Sequence, residues 1–219
     1  MSSDPESPAN PLGDRAPTSH ERTSGEPWDA SYHDGPAPWD IGGPQPAIVR
    51  LSSATSYSGT VLDVGCGSGE NALFLATLGA AVVGIDVAET ALGRGRDSAR
   101  DRGLDVEFFY ADALALERLQ RTFETVLDCG LFHTFDAAER ARYAASVASV
   151  TEPGGTLHVL CFSDEGPDTG PHPVTHDELR ATFSDDAGWA IESIGRERLM
   201  TRFHGENGVS AWLATMKRR

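Results

Sequence analysis

Lysine is all but missing from this chain. Lys217 is the single example, and 18 basic residues face 33 acidic ones, for a formal charge of −15. A surface that grips nucleic acid or an anionic membrane needs a Lys/Arg footprint, so neither partner is expected. Cysteine is almost as scarce. Cys66, Cys129 and Cys161 share no metal-ligand spacing, so no metal site is expected, and they fit free thiols in a reducing compartment. No apolar run approaches the roughly 20 residues of a membrane span. The N-terminus lacks the apolar core of a secretory signal, so a soluble cytoplasmic protein, monomer or homodimer, is expected. Two nucleotide signatures are absent as well: the phosphate-cradling loop that ends in Lys-Ser/Thr, and the G-x-G-x-x-G of dinucleotide folds.

What is present centres on Val61-Leu-Asp-Val-Gly-Cys-Gly-Ser-Gly-Glu-Asn-Ala-Leu-Phe-Leu75. An apolar strand, 60–64, runs into Gly65, Gly67 and Gly69, and Leu73, Phe74, Ala76 and Leu78 then fall at helical spacing. This reads as strand, glycine loop and helix, the start of a βαβ unit. Asp63 stands just before the loop. A carboxylate there repels a pyrophosphate on the helix N-terminus and suits a cationic ligand. S-adenosylmethionine (SAM) is such a ligand, with a sulfonium, an α-ammonium and no phosphate. Two further strands, 81–86 and 106–110, also lead into acids: Val82-Val-Gly-Ile-Asp86, where a carboxylate can take both ribose hydroxyls, and Val106-Glu-Phe-Phe-Tyr-Ala-Asp112, within reach of an adenine amino group. Three acids at three successive strand ends are hard to read as solvated surface.

Asp63-Val-Gly-Cys-Gly-Ser-Gly69, Gly84-Ile-Asp86, Ala111-Asp112-Ala113, Val126-Leu-Asp-Cys-Gly-Leu-Phe-His133 and Pro153-Gly-Gly-Thr-Leu157 together resemble the class I SAM-dependent methyltransferases. The likeness covers roughly Trp28 to the C-terminus. It implies a Rossmann-like, doubly wound α/β fold with a seven-stranded sheet and helices on both faces. It also implies SAM as cofactor, held by Trp39, Asp63, Gly65, Cys66, Gly67, Gly69, Asn71, Asp86, Val87, Asp112, Ala113, Asp128 and Leu131. Asp128 approaches the ammonium in that reading, or else caps a buried turn.

In chain order, 1–26 is Ser/Pro/acid-rich with little to bury and is expected to be disordered. The methyltransferase domain then runs over 27–219. Its first part, 27–53, holds Trp28, Tyr32 and Trp39 among turn formers and is expected to form an irregular lid with a short helix at 46–53. Trp28 and Trp39 either cap the core or, with Tyr32, close over the sulfonium, whose charge an aromatic face attracts. The Pro-Trp39-Asp-Ile-Gly run resembles small-molecule methyltransferases of the thiopurine, thiol and halide branch and bacterial enzymes acting on heterocycles or phenols. Further strands are expected at 125–128, 156–162, 189–194 and 211–216. Helices are expected at 70–78, 88–102, 114–120, 137–150 with Asp136 as N-cap, and 175–183 with Thr175 and Glu178 in capping-box spacing.

His133 follows the fourth strand, where the resemblance places the transferable methyl group. It can take a proton from a phenol, hydroxyl or ring nitrogen, or simply hold the loop by a hydrogen bond. Tyr32, Trp39, Phe132, His133, Phe162 and Phe203 are the candidate acceptor-binding residues, although each phenylalanine can equally be core. The function implied is methyl transfer from SAM to a small, aromatic or heterocyclic acceptor at O, N or S. The alternatives are a detoxifying thiol, halide or chalcogen methyltransferase, a non-catalytic SAM-binding module, and a nicotinamide oxidoreductase, against which the glycine spacing speaks.

Overall fold

The computed structural model describes residues 15–55, 57, 59–166, 170 and 172–219. Six helices are α1 (Ser19–Ser24), α2 (Pro46–Ala54), α3 (Glu70–Thr77), α4 (Glu89–Arg102), α5 (Ala137–Val150) and α6 (His176–Thr182). Seven strands are β1 (Thr60–Val64), β2 (Ala81–Asp86), β3 (Val106–Tyr110), β4 (Phe123–Cys129), β5 (Thr151–Phe162), β6 (Trp189–Leu199) and β7 (Val209–Arg218). They make one sheet in the order β3-β2-β1-β4-β5-β7-β6, parallel up to β5 with β7 antiparallel to both its neighbours. The order reverses between β1 and β4, which is where open α/β sheets bind ligands.

Alternation along the strands divides the core in two. Leu62, Val64, Val83, Val126 and Val159 point to the side covered by α5 and α6, where Tyr143, Val147, Leu179, Trp189 and Trp212 are buried. Val61, Val82, Leu127 and Leu160 point to the side covered by α2, α3 and α4. The doubly wound plan follows from this pattern.

The first three strands begin and end where the sequence indicates; Asp136 is the N-cap expected, and also forms a capping box with Glu139, and the expected box of Thr175 with Glu178 is made. Five other elements differ. β4 runs two residues further back, to Phe123, and β5 starts at Thr151, because Thr151 already pairs with Phe123 before a bulge lets the Pro153-Gly-Gly turn protrude. β6 and β7 pair over ten positions and so outrun their apolar cores. The helix expected at 114–120 is only a 3-10 turn, Leu116–Leu119, ended by Gln120 at φ 52°.

The largest departure is at the N-terminus. Residues 1–14 lie outside the described residues, but 15–26, expected to be disordered, are ordered. Thr18 and Glu21 form a capping box, and Gly25 closes α1 in the left-handed region. The Glu21 carboxylate takes the Thr18 and Trp28 amides and makes a buried ion pair with Arg15. The docking partner lies far along the chain. Ser19 donates its N–H to Glu139 Oε1 at 2.6 Å and its hydroxyl to Oε2, and Arg22 pairs with Asp136 and Glu139. Composition alone misjudged this segment because its order comes from charged hydrogen bonds, not from buried apolar side chains.

Glu139→Ala therefore removes the acceptor for both Ser19 donors as well as one half of a capping box. Amide exchange over 19–24 should accelerate strongly while β1 stays protected, with a stability loss on the order of 1–2 kcal/mol. Unchanged protection of 19–24 would show that α1 is held by other contacts.

Candidate functional site

At the carboxyl ends of β1, β2, β3 and β4, and roofed by residues 15–45, lies a cavity of about 380 Å³, within the usual range for small-ligand sites. The glycine loop forms its inner wall. Gly65, Gly67 and Gly69 have φ of 69°, 55° and 80°, conformations that side chains rarely adopt. Space forbids a substitution too: a Cβ on Gly67 would lie 2.8 Å from Tyr32 Oη, and one on Gly69 2.5 Å from the Phe108 ring.

The three acids take different positions. Asp86 lines the cavity, with Oδ2 accepting the Gly67 N–H at 2.8 Å and Oδ1 the Ala88 N–H at 2.9 Å. Each oxygen keeps a lone pair for a ligand hydroxyl. Asp112 also lines the cavity, its Oδ1 taking the Leu114 N–H. Asp63 does not. It is buried beneath the loop with Oδ2 unpaired, and burial, followed by the neighbouring Asp128 and Asp86 charges, pushes its carboxyl up to about 7.

Asp128, expected to approach the ammonium, is likewise fully buried and off the cavity. Oδ1 takes the Leu131 and Phe132 amides and Oδ2 the Tyr143 hydroxyl at 2.7 Å, so its role here is that of a turn cap, the other reading of this residue. Burial pushes it up to about 6. Gly69 starts α3 and also lies off the cavity wall. Cys66, Asn71, Val87, Ala113 and Leu131 do line it, and Asn71 Oδ1 additionally takes the Gln45 N–H. The floor thus carries buried carboxylates and no phosphate-binding lysine, which fits a cationic ligand and opposes a pyrophosphate. Among the described residues no cluster of His, Cys, Asp or Glu is arranged to hold a metal.

The outer half is aromatic. Trp28 stacks on His20 with centroids 4.2 Å apart and meets the edge of Trp39, whose Nε1 donates to Tyr32 Oη at 2.8 Å. All four line the cavity. Tyr32 is buried and its hydroxyl held well above the usual phenol range by that burial and by nearby Asp86. Opposite, Phe162 stacks on His133 at 4.1 Å, and Phe203 stands 75% exposed at the mouth. Phe132 is a correction. It has no exposure and packs on Phe183 and Tyr143 under the Arg140 guanidinium, so it is core rather than acceptor wall.

His133 lines the cavity but is not placed as a base. Burial, then the positive neighbours His172, Arg140 and His20, pulls its imidazole down to about 3. The Phe162 N–H faces Nδ1 at 3.5 Å. The tautomer that accepts this N–H carries its proton on Nε2, which makes that nitrogen a donor.

Several lining residues escaped the sequence reading. Arg15, Thr18 and His20 were placed in a disordered tail, although Thr18 and Glu21 already stood at capping-box spacing. Gln45 lies in the expected lid, yet its side chain brackets the Met200 backbone, accepting its N–H and donating to its carbonyl, a pairing 155 residues apart that no local pattern signals.

Comparison with known proteins agrees with this arrangement. A family described as "Methyltransferase domain" matches residues 61–155. The 2-heptyl-1-hydroxyquinolin-4(1H)-one methyltransferase of Mycobacteroides abscessus is 38% identical over 172 residues, 77% of this chain and 75% of that protein. The probable thiol methyltransferase 2 of Arabidopsis thaliana is 28% identical over 88% of this chain and 86% of its own length. A structure solved in work on the conversion of a disulfide bond into a thioacetal group during echinomycin biosynthesis superposes with a TM-score of 0.75, at 37% identity and 84% coverage of both chains.

The buried carboxyl at position 63 makes stability depend on pH. Its raised value means the folded chain holds this proton more tightly than the unfolded chain does. That contribution is complete below the ordinary carboxyl value of 3.8 and is lost as pH rises towards about 7. Relative to Asp63→Asn, the wild-type protein should lose roughly 2–4 kcal/mol between those limits, as read by denaturant unfolding at a series of pH values. A difference that grows in the wild type's favour with rising pH would mean that Asp63 is stabilised as the anion.

Proposed function

The chain belongs to the class I SAM-dependent methyltransferases, and from that premise we propose that its acceptor is a small, flat aromatic or heterocyclic molecule with a methylatable O, N or S on its edge. Membership sets aside the nicotinamide and non-catalytic alternatives: SAM is the cofactor and a small molecule takes the methyl group. The observation that carries the acceptor reading is the pair of stacked ring systems, His20–Trp28 and His133–Phe162, lining one cavity. Aromatic faces of this kind suit a flat ring, which buries large area against them. The hydroxyquinolinone named for the 38%-identical relative is consistent with it. A halide or simple thiol would need no such wall. A cytoplasmic monomer or homodimer with no nucleic-acid partner belongs to the same proposal, supported by the acidic charge and three free thiols.

In this reading Asp86 accepts from the cofactor ribose and Asp112 from its adenine amino group. Val87, Ala113 and Leu131 give apolar contact, and the glycine loop with Cys66 and Asn71 gives the methionine part access to the main chain. The buried Asp63 and Asp128 act through their field rather than by touch. Trp39, 37% exposed beside the loop, offers a face to the sulfonium. Bound there, the cofactor supplies an electrophilic methyl group whose loss leaves a neutral thioether.

The chain's own contribution is alignment and exclusion of water. Phe162, Trp28 and Phe203 fix the plane of the acceptor, and His133 Nε2–H holds its polar edge. Alignment of this kind can contribute on the order of 7 kcal/mol or more. A panel of hydroxyquinolines, phenols, ring nitrogens, alkyl thiols and halides tests the reading, with turnover expected on the first three. His133→Ala should cut kcat/KM roughly 10–100-fold, and by similar factors on ionised and protonated acceptors, since the loss is one of orientation. Turnover confined to alkyl thiols or halides would overturn the aromatic assignment.

A further inference from the structure

With His133 neutral and donating, the proton of a protonated acceptor needs another destination. Several ionisable groups lining the cavity are committed to other partners. Asp40 takes the Ser68 hydroxyl at 2.8 Å and the Gly42 N–H at 2.9 Å. Glu70 is paired with Arg102, and Asp86 and Asp112 are bonded to backbone amides at the cofactor end. His20 is stacked on Trp28, with its imidazole lowered by burial and by His172.

His204 is different. It follows Phe203 on the loop between β6 and β7, it is exposed, and it lines the cavity at the mouth. Its Nδ1 lies 2.6 Å from the hydroxyl of Thr201, a residue with only 9% exposure. That hydroxyl also takes the Phe203 N–H at 3.3 Å, so the loop's own backbone orients it. The loop is anchored from outside: the Arg202 N–H donates to the Pro38 carbonyl and the Arg202 guanidinium reaches the Asp40 carbonyl. A ring on the cavity wall held at one nitrogen by a fixed partner, so that the other nitrogen is left for a substrate proton, is the arrangement a general base requires.

We propose that His204, oriented by Thr201, is the general base for acceptors that arrive protonated. The inference rests on the aromatic-acceptor reading above. With Nδ1–H donated to Thr201 Oγ1, Nε2 carries the free lone pair. The acceptor's proton passes to Nε2 as its heteroatom bonds the methyl carbon. The methyl–sulfur bond breaks with its electron pair staying on sulfur, and the exposed imidazolium returns its proton to solvent. An acceptor that is already ionised bypasses the step. The charged and titratable groups around the ring are Arg202 and Glu206 on its own loop, Asp40 on the strap bonded to that loop, and His20, His133 and His172, which line the same cavity.

The test compares wild type, His204→Gln and Thr201→Val on two aromatic hydroxyl acceptors of similar shape, one with a pKa near 10 and one ionised throughout the pH range used. For the weakly acidic acceptor, wild-type kcat/KM should rise with pH through a single inflection and then level off. His204→Gln should lose that inflection and fall roughly 100-fold, while its loss on the ionised acceptor stays below about threefold and its SAM affinity, by calorimetry, is unchanged. Thr201→Val should displace the inflection with a smaller loss, and ring NMR should show the His204 titration moving in the same variant. An inflection that survives in His204→Gln, or equal losses on both acceptors, overturns the base assignment alone. Failure of the wild type to methylate either acceptor overturns the acceptor reading and takes this assignment with it.

Discussion

Two carboxylates stand near the ends of adjacent strands with no base between them. Asp63 stands one residue before the end of β1 and Asp128 one before the end of β4, and in the paired strands Asp63 faces Leu127 and Val64 faces Asp128. Such a pair is costly to bury, and the chain relieves it unevenly. Asp128 receives three donors, while Asp63 Oδ2 receives none. The consequence is a pair of buried carboxyls, held above their ordinary values, directly under a loop whose glycines bring the main chain close to whatever binds. A ligand carrying positive charge relieves this pair; a phosphate aggravates it. That asymmetry favours a sulfonium donor over a dinucleotide.

Most of this was legible in order of sequence distance. Loop, strand and helix patterns within ten residues gave β1, β2 and β3 to the residue, and the Asp136 and Thr175 caps. Depth was less legible. An acid at a strand end can point over the rim or under it, and periodicity alone does not separate Asp86, which lines the cavity, from Asp63 and Asp128, which lie beneath. The same ambiguity hid Phe132 in the core while its neighbour His133 faces the cavity. Least legible were the elements whose order depends on distant partners. Glu139 holds α1 from more than a hundred residues away, and low apolar content in 15–26 carried no trace of it.

The roof is stitched to the cofactor end of the site at several points. Asp29 takes the Thr90 N–H and hydroxyl at the start of α4, supplying from a distance the cap that Ala88 cannot give. The Arg94 guanidinium reaches the Tyr32 and Gly35 carbonyls, Asp40 takes the Ser68 hydroxyl, and Gln45 spans Asn71 and Met200. Tyr32 Oη in turn occupies the space over Gly67 that any side chain there would fill. None of these contacts is large alone, since each net hydrogen bond is worth about 1 kcal/mol. Together they fix one surface to another.

That attachment has a mechanistic consequence. The 15–45 segment carries Trp28, Tyr32 and Trp39 of the aromatic wall and is bonded to the glycine loop, so a shift of one is passed to the other. In-line transfer depends on the relative position of two small molecules more than on the absolute position of either. A roof fastened only to the sheet's outer elements would let the acceptor drift against the donor. Fastened through Asp40 and Gln45 to the glycine loop, α3 and the residue after β6, it is held to the same frame as that loop. The strap's bonds to the β6–β7 loop through Arg202 extend this frame to the mouth, where Phe203 and His204 stand. The exposed loop that would otherwise be the cavity's least constrained edge is thereby tied to the 15–45 segment that is bonded to the glycine loop.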